Sequence, residues 1–223
     1  MRISARFLTA AALAAAILLS ACGGGTRSTR SEGGSMASTS SAETRTPAAS
    51  TSSSEAPIPS ESPVPTEDSP PGDIPDNVAF VPYTSRRGGF TISTPEGWSR
   101  TTTPSSVTFT DKLNTVVVSW MDVASPPTVS SVKMREVAEL QTSERAFTLG
   151  SVTAATVPAG RAVLTTYRAN SEPNSVTGKQ YRLDVQRYSL YHNGTELVIG
   201  LRSPVGADNV DPWRIVTQSF TWG

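Results

Sequence analysis

The side chains able to do acid–base or nucleophilic chemistry are few in this chain and widely spaced. Among 223 residues there is one histidine, His192, and one cysteine, Cys22. A multi-ligand zinc site, a haem-attachment motif and a disulfide framework each need more. His192 stands just before Asn193 and Gly194, so the simplest place for it is a solvated hairpin end. A Ser-His-acid triad would have to use it, yet no Gly-x-Ser-x-Gly elbow occurs. Ser130 and Lys133 match the Ser-x-x-Lys spacing of penicillin-binding enzymes, but no Ser-Asp-Asn or Lys-Thr-Gly partner follows. A helix-capping serine and a solvated lysine account for the same residues. Asp208 and Asp211 suit caps better than ligands, and a calcium loop would need more carboxylates at closer spacing. There is no phosphate-cradling glycine loop. The expectation is a protein with no catalytic residue, no metal and no cofactor.

Cys22 has a different context. Arg2 and Arg6 precede an uncharged run rich in Ala and Leu over residues 7–18, the layout of a secretory leader. The run is too short to span a bilayer. It ends in Leu19, Ser20, Ala21 and Cys22, which resembles the bacterial lipobox, where small residues admit the lipoprotein signal peptidase. Residues 1–21 are then a signal peptide, and the Cys22 thiol receives diacylglycerol and becomes the mature N-terminus. With an added fatty acid such as palmitate, its acyl chains exceed the roughly two-signal threshold for stable anchoring. The protein is expected on the outer face of the cell membrane. Arg outnumbers Lys sixteen to three, a bias that fits a GC-rich bacterium such as an actinobacterium.

Residues 22–77 read as a tether. They are Ser, Thr, Pro, Gly, Ala and Glu with no aromatic side chain, too little apolar surface to offset the entropy of ordering. Prolines stiffen the second half, and the hydroxyls are potential sites for sugar. Fourteen of the fifteen aromatic residues lie at or beyond Phe80, so the folded part is expected at residues 78–223. Three arginines face eight carboxylates in the tether, whereas fourteen basic face eleven acidic side chains in the domain. An acidic tether beside a mildly basic, exported domain argues against nucleic acid as partner.

Within the domain, residues 90–93, 107–110 and 115–123 are short, β-branched or aromatic, and punctuated by turn residues. Residues 129–146 change to three- and four-residue apolar spacing and predict one inserted helix, capped by Ser130 or Ser131. Residues 147–157, 161–169, 180–192 and 195–203 return to strand character. Tyr181, Leu183 and Val185 alternate with Arg182, Asp184 and Gln186, which predicts one buried and one wet face. At Arg187 the alternation lapses, so either Tyr188 joins the wet face or a bulge flips the pattern. Asn193 and Gly194 predict a two-residue hairpin turn. Asp211 and Pro212 open a final helix with Trp213, Val216 and Phe220 along one stripe. The fold class is α+β, an antiparallel sheet of about six or seven strands with one inserted and one C-terminal helix.

Phe90, Ile92, Pro95, Gly97 and Trp98, with the aromatic tail Ser219, Phe220 and Trp222, resemble the opening strand and the end of PsbP-like domains. Joined to a lipobox, the pattern is similar to the actinobacterial LpqN-type lipoproteins, over about residues 83–223. That resemblance implies an α/β/α sandwich and a non-catalytic envelope protein that contacts other proteins or cell-wall components. It carries no catalytic residues over. Trp98, Arg100, Tyr188, Arg182 and Arg202 are the candidates for partner contact, since aromatic and arginine surfaces mark recognition sites. The alternatives are a lipid or small-molecule carrier, marked by a deep apolar cavity between sheet and helix, and a hydrolase marked by a buried His192.

Overall fold

Runs of Val, Thr, Ile and Phe broken by glycine and asparagine turns become ten strands in a computed structural model that describes residues 61–223. Leu19, Ser20, Ala21 and Cys22 lie outside the described residues. The elements run β1 (Phe80–Ser85), β2 (Phe90–Pro95), β3 (Ser99–Thr102), β4 (Ser106–Asp111), β5 (Asn114–Asp122), α1 (Val129–Met134) and α2 (Glu136–Ser143). They continue with β6 (Thr148–Val157), β7 (Gly160–Asn170), β8 (Arg182–His192), β9 (Thr195–Pro204), α3 (Val210–Ser219) and β10 (Thr221–Trp222). The α+β class with its inserted and C-terminal helices is as the sequence predicts.

Seven strands form an antiparallel sheet in the order β3-β4-β5-β9-β8-β7-β6. A second sheet of three, β1-β2-β10, escapes the sequence reading because β1 carries Pro82 and β10 has only two residues. The β8–β9 hairpin closes where expected, with φ of 45° at Asn193 and 88° at Gly194.

Alternation divides the large sheet into two covered faces. On one, Phe109, Val116, Leu197, Ile199 and Leu201 pack with Phe90, Ile92, Trp213, Val216 and Phe220, under the small sheet and α3. Burying each of the last three of these side chains, two on α3 and Phe220 just after it, contributes roughly 2 kcal/mol. On the other face, Val152, Val163, Tyr167 and Val185 pack with Val132, Val137 and Leu140 from α1 and α2.

Two expectations about the helices are corrected. The inserted helix is broken at Arg135 into two short ones, and its cap is Thr128, whose hydroxyl accepts from the Ser131 amide while the Ser131 hydroxyl accepts from the Thr128 amide. Ser131 therefore completes the box from its third position. At α3 the cap position falls on Asn209 rather than Asp211, and Pro212 sits inside the first turn.

Composition assigned residues 61–77 to the tether, yet they are seated on the domain. Ile74 is buried and its amide donates to Asn209 Oδ1 at 2.8 Å. The Gly72 carbonyl accepts from Asn114 Nδ2 and Asn209 Nδ2 at 2.7 and 3.0 Å. The Val64 amide donates to Asn170 Oδ1, and Asn170 Nδ2 donates to Glu61 Oε1 and the Ser62 carbonyl. Glu61 also pairs with Arg145, and Glu67 with Lys179. Three buried asparagines thus act as sockets for a strap with almost no apolar side chains, which is why hydropathy does not find it.

Candidate functional site

The small sheet and α3 leave the β8–β7–β6 part of their face of the large sheet partly uncovered. There β8 presents Asp184, Gln186 and Tyr188 at two-residue spacing, opposite Arg168, Thr166 and Leu164 of β7. The register of β8 with both neighbours is unbroken, so no bulge flips the strand. Tyr188 shares a face with Asp184 and Gln186, while Arg187 and Ser189 point to the helices.

A trough of about 370 Å³ runs between this row and α3, walled by Trp213, Arg214 and Thr217. A second hollow of about 450 Å³ adjoins it through Asp184 and Gln186 and reaches Leu149 and Gly150 of β6. Both are open and lined by polar and apolar groups together. The Tyr188 hydroxyl donates to Gln186 Oε1 at 3.0 Å, and burial pushes its pKa up. Arg168 Nε donates to Asp184 Oδ1 at 2.8 Å, so the floor carries one exposed, self-neutralised ion pair.

The five candidates from sequence separate. Tyr188 lines the trough. Trp98 stands edge-on to Trp213 with ring centroids 6.3 Å apart, half-buried against the main core, where it braces the α3 wall of the trough. Arg100 is exposed on β3 and lies over the Tyr83 ring at 5.2 Å. Arg182, expected on the wet face, is buried at 7 % exposure. Its guanidinium donates to the Ala146 carbonyl at 2.7 Å, Asn170 Oδ1 at 3.0 Å and Thr148 Oγ1 at 2.7 Å, because the loop before β6 folds over the start of β8. Arg202 is paired with Glu144 and also reaches the Tyr167 hydroxyl, which donates to Glu144 at 2.8 Å. These two arginines hold α2 and its following loop to the sheet. Sequence reasoning missed Gln186 and Arg214 as trough residues, because a solvated strand or helix face gives the same signal.

The helix side holds a second polar cluster. Arg135, at the break between α1 and α2, donates to Glu196 Oε2 at 2.7 Å and lies 3.6 Å from Glu136. Glu136 and Glu196 are both buried, and Ser189 donates to Glu136 at 3.2 Å. Burial pushes the Glu136 carboxyl above its ordinary range, Arg187 opposes this, and the facing Glu196 adds to it.

His192 is exposed, contacts Asn193 Nδ2 at 2.9 Å and stacks on Trp222 with centroids 5.1 Å apart. Ser130 and Lys133 are both exposed on α1, and the cap uses Ser131 instead. Among the described residues no three His, Cys, Asp or Glu side chains group as metal ligands, and no helix is long and apolar enough to cross a membrane.

No protein-family model matches the chain, and no curated protein matches it in sequence. Solved structures similar to it include PsbP from the cyanobacterium Synechocystis, 15% identical, covering 70% of this chain and 100% of that one, with a TM-score of 0.46. The Ran-binding protein Mog1p of Saccharomyces cerevisiae is 9% identical over 65% of this chain and 95% of its own, with a TM-score of 0.44. LpqN of Mycobacterium tuberculosis, described as involved in cell envelope biogenesis, is 14% identical over 66% of this chain and 91% of its own, with a TM-score of 0.41.

Proposed function

We propose that this chain is an LpqN-type lipoprotein of an actinobacterial envelope, held on the outer face of the membrane by acyl chains on Cys22. Its domain is a non-catalytic interaction module, and its contacts are with envelope proteins or cell-wall components rather than nucleic acid. The lipobox residues Leu19, Ser20 and Ala21 before the one cysteine support the anchor, and the Ser-, Thr- and Pro-rich residues after it support a spacer.

One observation carries the contact role: packed side chains, apolar clusters together with the buried Glu136 and Glu196, lie under the helices, and the trough and its adjoining hollow are open and of mixed polarity. A carrier would need an enclosed apolar chamber. The trough instead offers a floor of Asp184, Gln186 and Tyr188 to a surface that lies across it.

The test is crosslinking in the intact envelope followed by affinity capture, with Cys22→Ala and Gln186→Ala/Tyr188→Ala alongside wild type, and analysis of both proteins and extracted lipids. Defined envelope partners recovered with wild type and depleted in the trough variant are the expected result. A stoichiometric lipid or metabolite with no protein or wall partner overturns the reading in favour of a carrier.

A further inference from the structure

Four strand edges bound the two sheets, and three of them are blunted. β1 has Pro82 in its middle, β3 is four residues long and carries Arg100, and β10 has two residues. These are ordinary ways of preventing a sheet from growing. The fourth edge, β6, has none of them along most of its length. It is ten residues long, Thr148–Val157, and contains no charged residue and no proline. A register shift at Leu149/Ser151 breaks its start, where Gly150 lies so close to Thr166 that an added Cβ would stand 2.8 Å from the hydroxyl. From Ser151 onward the run Ser-Val-Thr-Ala-Ala-Thr-Val pairs regularly with β7 on one side. On its other side no described strand pairs with it.

We propose that this edge pairs with the same edge of a second copy of the chain, antiparallel and about a two-fold axis normal to the sheet, joining two seven-stranded sheets into one. The pairing places each chain's α1–α2 layer on the same side. It opposes only Ser, Val, Thr and Ala, small or β-branched side chains that fit cross-strand positions, and it brings no like charges together. A charged partner gains nothing from a strand that offers no countercharge.

The outward residues of the run suit this contact. Ser151, Thr153, Ala154 and Thr156 are exposed, while Val152 anchors the strand under α1. Seven residues at about 3.3 Å each make a contact of roughly 23 Å, one strand wide. That is small against a standard stable interface, so the dimer is weak and concentration-dependent.

Sedimentation of the full chain in detergent, under reducing conditions to exclude pairing through Cys22, reads this directly. From about 1 µM to about 1 mM, wild type shifts from monomer to dimer. The Thr153→Lys/Thr156→Lys variant places lysines in both facing strands and weakens the dimer at least about tenfold. Thr101→Lys/Thr102→Lys, on the β3 edge, leaves it unchanged. Hydrogen exchange on wild type needs no substitution: β6 amides between residues 151 and 157 gain protection as concentration rises. A chain that stays monomeric throughout overturns the proposal and leaves the edge to an extended segment of another protein. A dimer that survives the β6 lysines with unchanged β6 exchange overturns it in favour of another face.

Discussion

Arg182 is a buried cation whose three hydrogen-bond partners are all neutral acceptors, and burial lowers its pKa accordingly. Replacing it with Met keeps the stem, strands the Ala146 carbonyl and takes from Asn170 Oδ1 one of its two donors, the other being the Val64 amide. Hydrogen bonds to a charged group are worth about 1.5 to 3 kcal/mol each, so Arg182→Met is expected to cost about 3 kcal/mol in urea unfolding while leaving partner capture intact where the variant is folded. A loss of capture from the folded variant would return Arg182 to the recognition surface. Glu136 gives a pH signature. Its carboxyl is held above the ordinary value of 4.5 by burial, with the facing Glu196 adding to the shift and Arg187 opposing it. A raised folded value means that its stabilisation is complete below the unfolded value and is lost as pH rises through the folded one. Unfolding free energy measured upward from pH 4.5 is therefore expected to fall less steeply in Glu136→Gln than in wild type. Superimposable slopes would show that Glu136 does not hold a proton there.

At the scale of elements, the strap over residues 61–77 is where composition and structure part. The prolines and serines of this stretch carry no hydropathy signal, but Asn114, Asn170 and Asn209 are buried and would be left without these partners if it were removed. A chain beginning at Val78 is expected to be less stable than one beginning at Glu61 by several kcal/mol, seen as a lower urea midpoint, because each stranded buried polar group costs about 1 to 3 kcal/mol. Equal midpoints would mean that the strap is a passive tail. Six of the seven large-sheet strands were legible because β-branched runs and glycine turns state them locally, and the β8–β9 hairpin was legible down to its two turn residues; β3, the four exposed residues Ser99–Thr102, was not, because it has no buried face to set an alternation. The break at Arg135 was not, since it depends on Glu196, 61 residues further on. Nor was the burial of Arg182: alternation describes a strand's two faces but not what the next loop lays over them. Of the trough, only Tyr188 was found in advance, because a site made by a helix set beside a strand has no local sequence pattern.

For the whole molecule, the two faces of the large sheet do different work. The helix face is closed by α1 and α2 and locked by Arg135 and Arg202, bound to Glu196 of β9 and to Glu144 at the end of α2, while Arg182 ties the loop after α2 to the start of β8. The opposite face is closed only partly, and the polar trough beside α3 is what it leaves exposed. In the proposed account the rigid face supports the open one, the strap fixes where the chain leaves the domain, and Cys22 fixes the membrane on which this happens. That account stands or falls most directly on the state of Cys22. The measurement is membrane fractionation of the producing cells followed by intact mass of the purified protein, for wild type and Cys22→Ala. The account predicts a wild-type protein in the membrane fraction that begins at Cys22 and carries the mass of diacylglycerol and an added fatty acid, with Cys22→Ala uncleaved at that site and without that lipid mass. A wild-type chain that is released into the soluble fraction with Cys22 unmodified would contradict it.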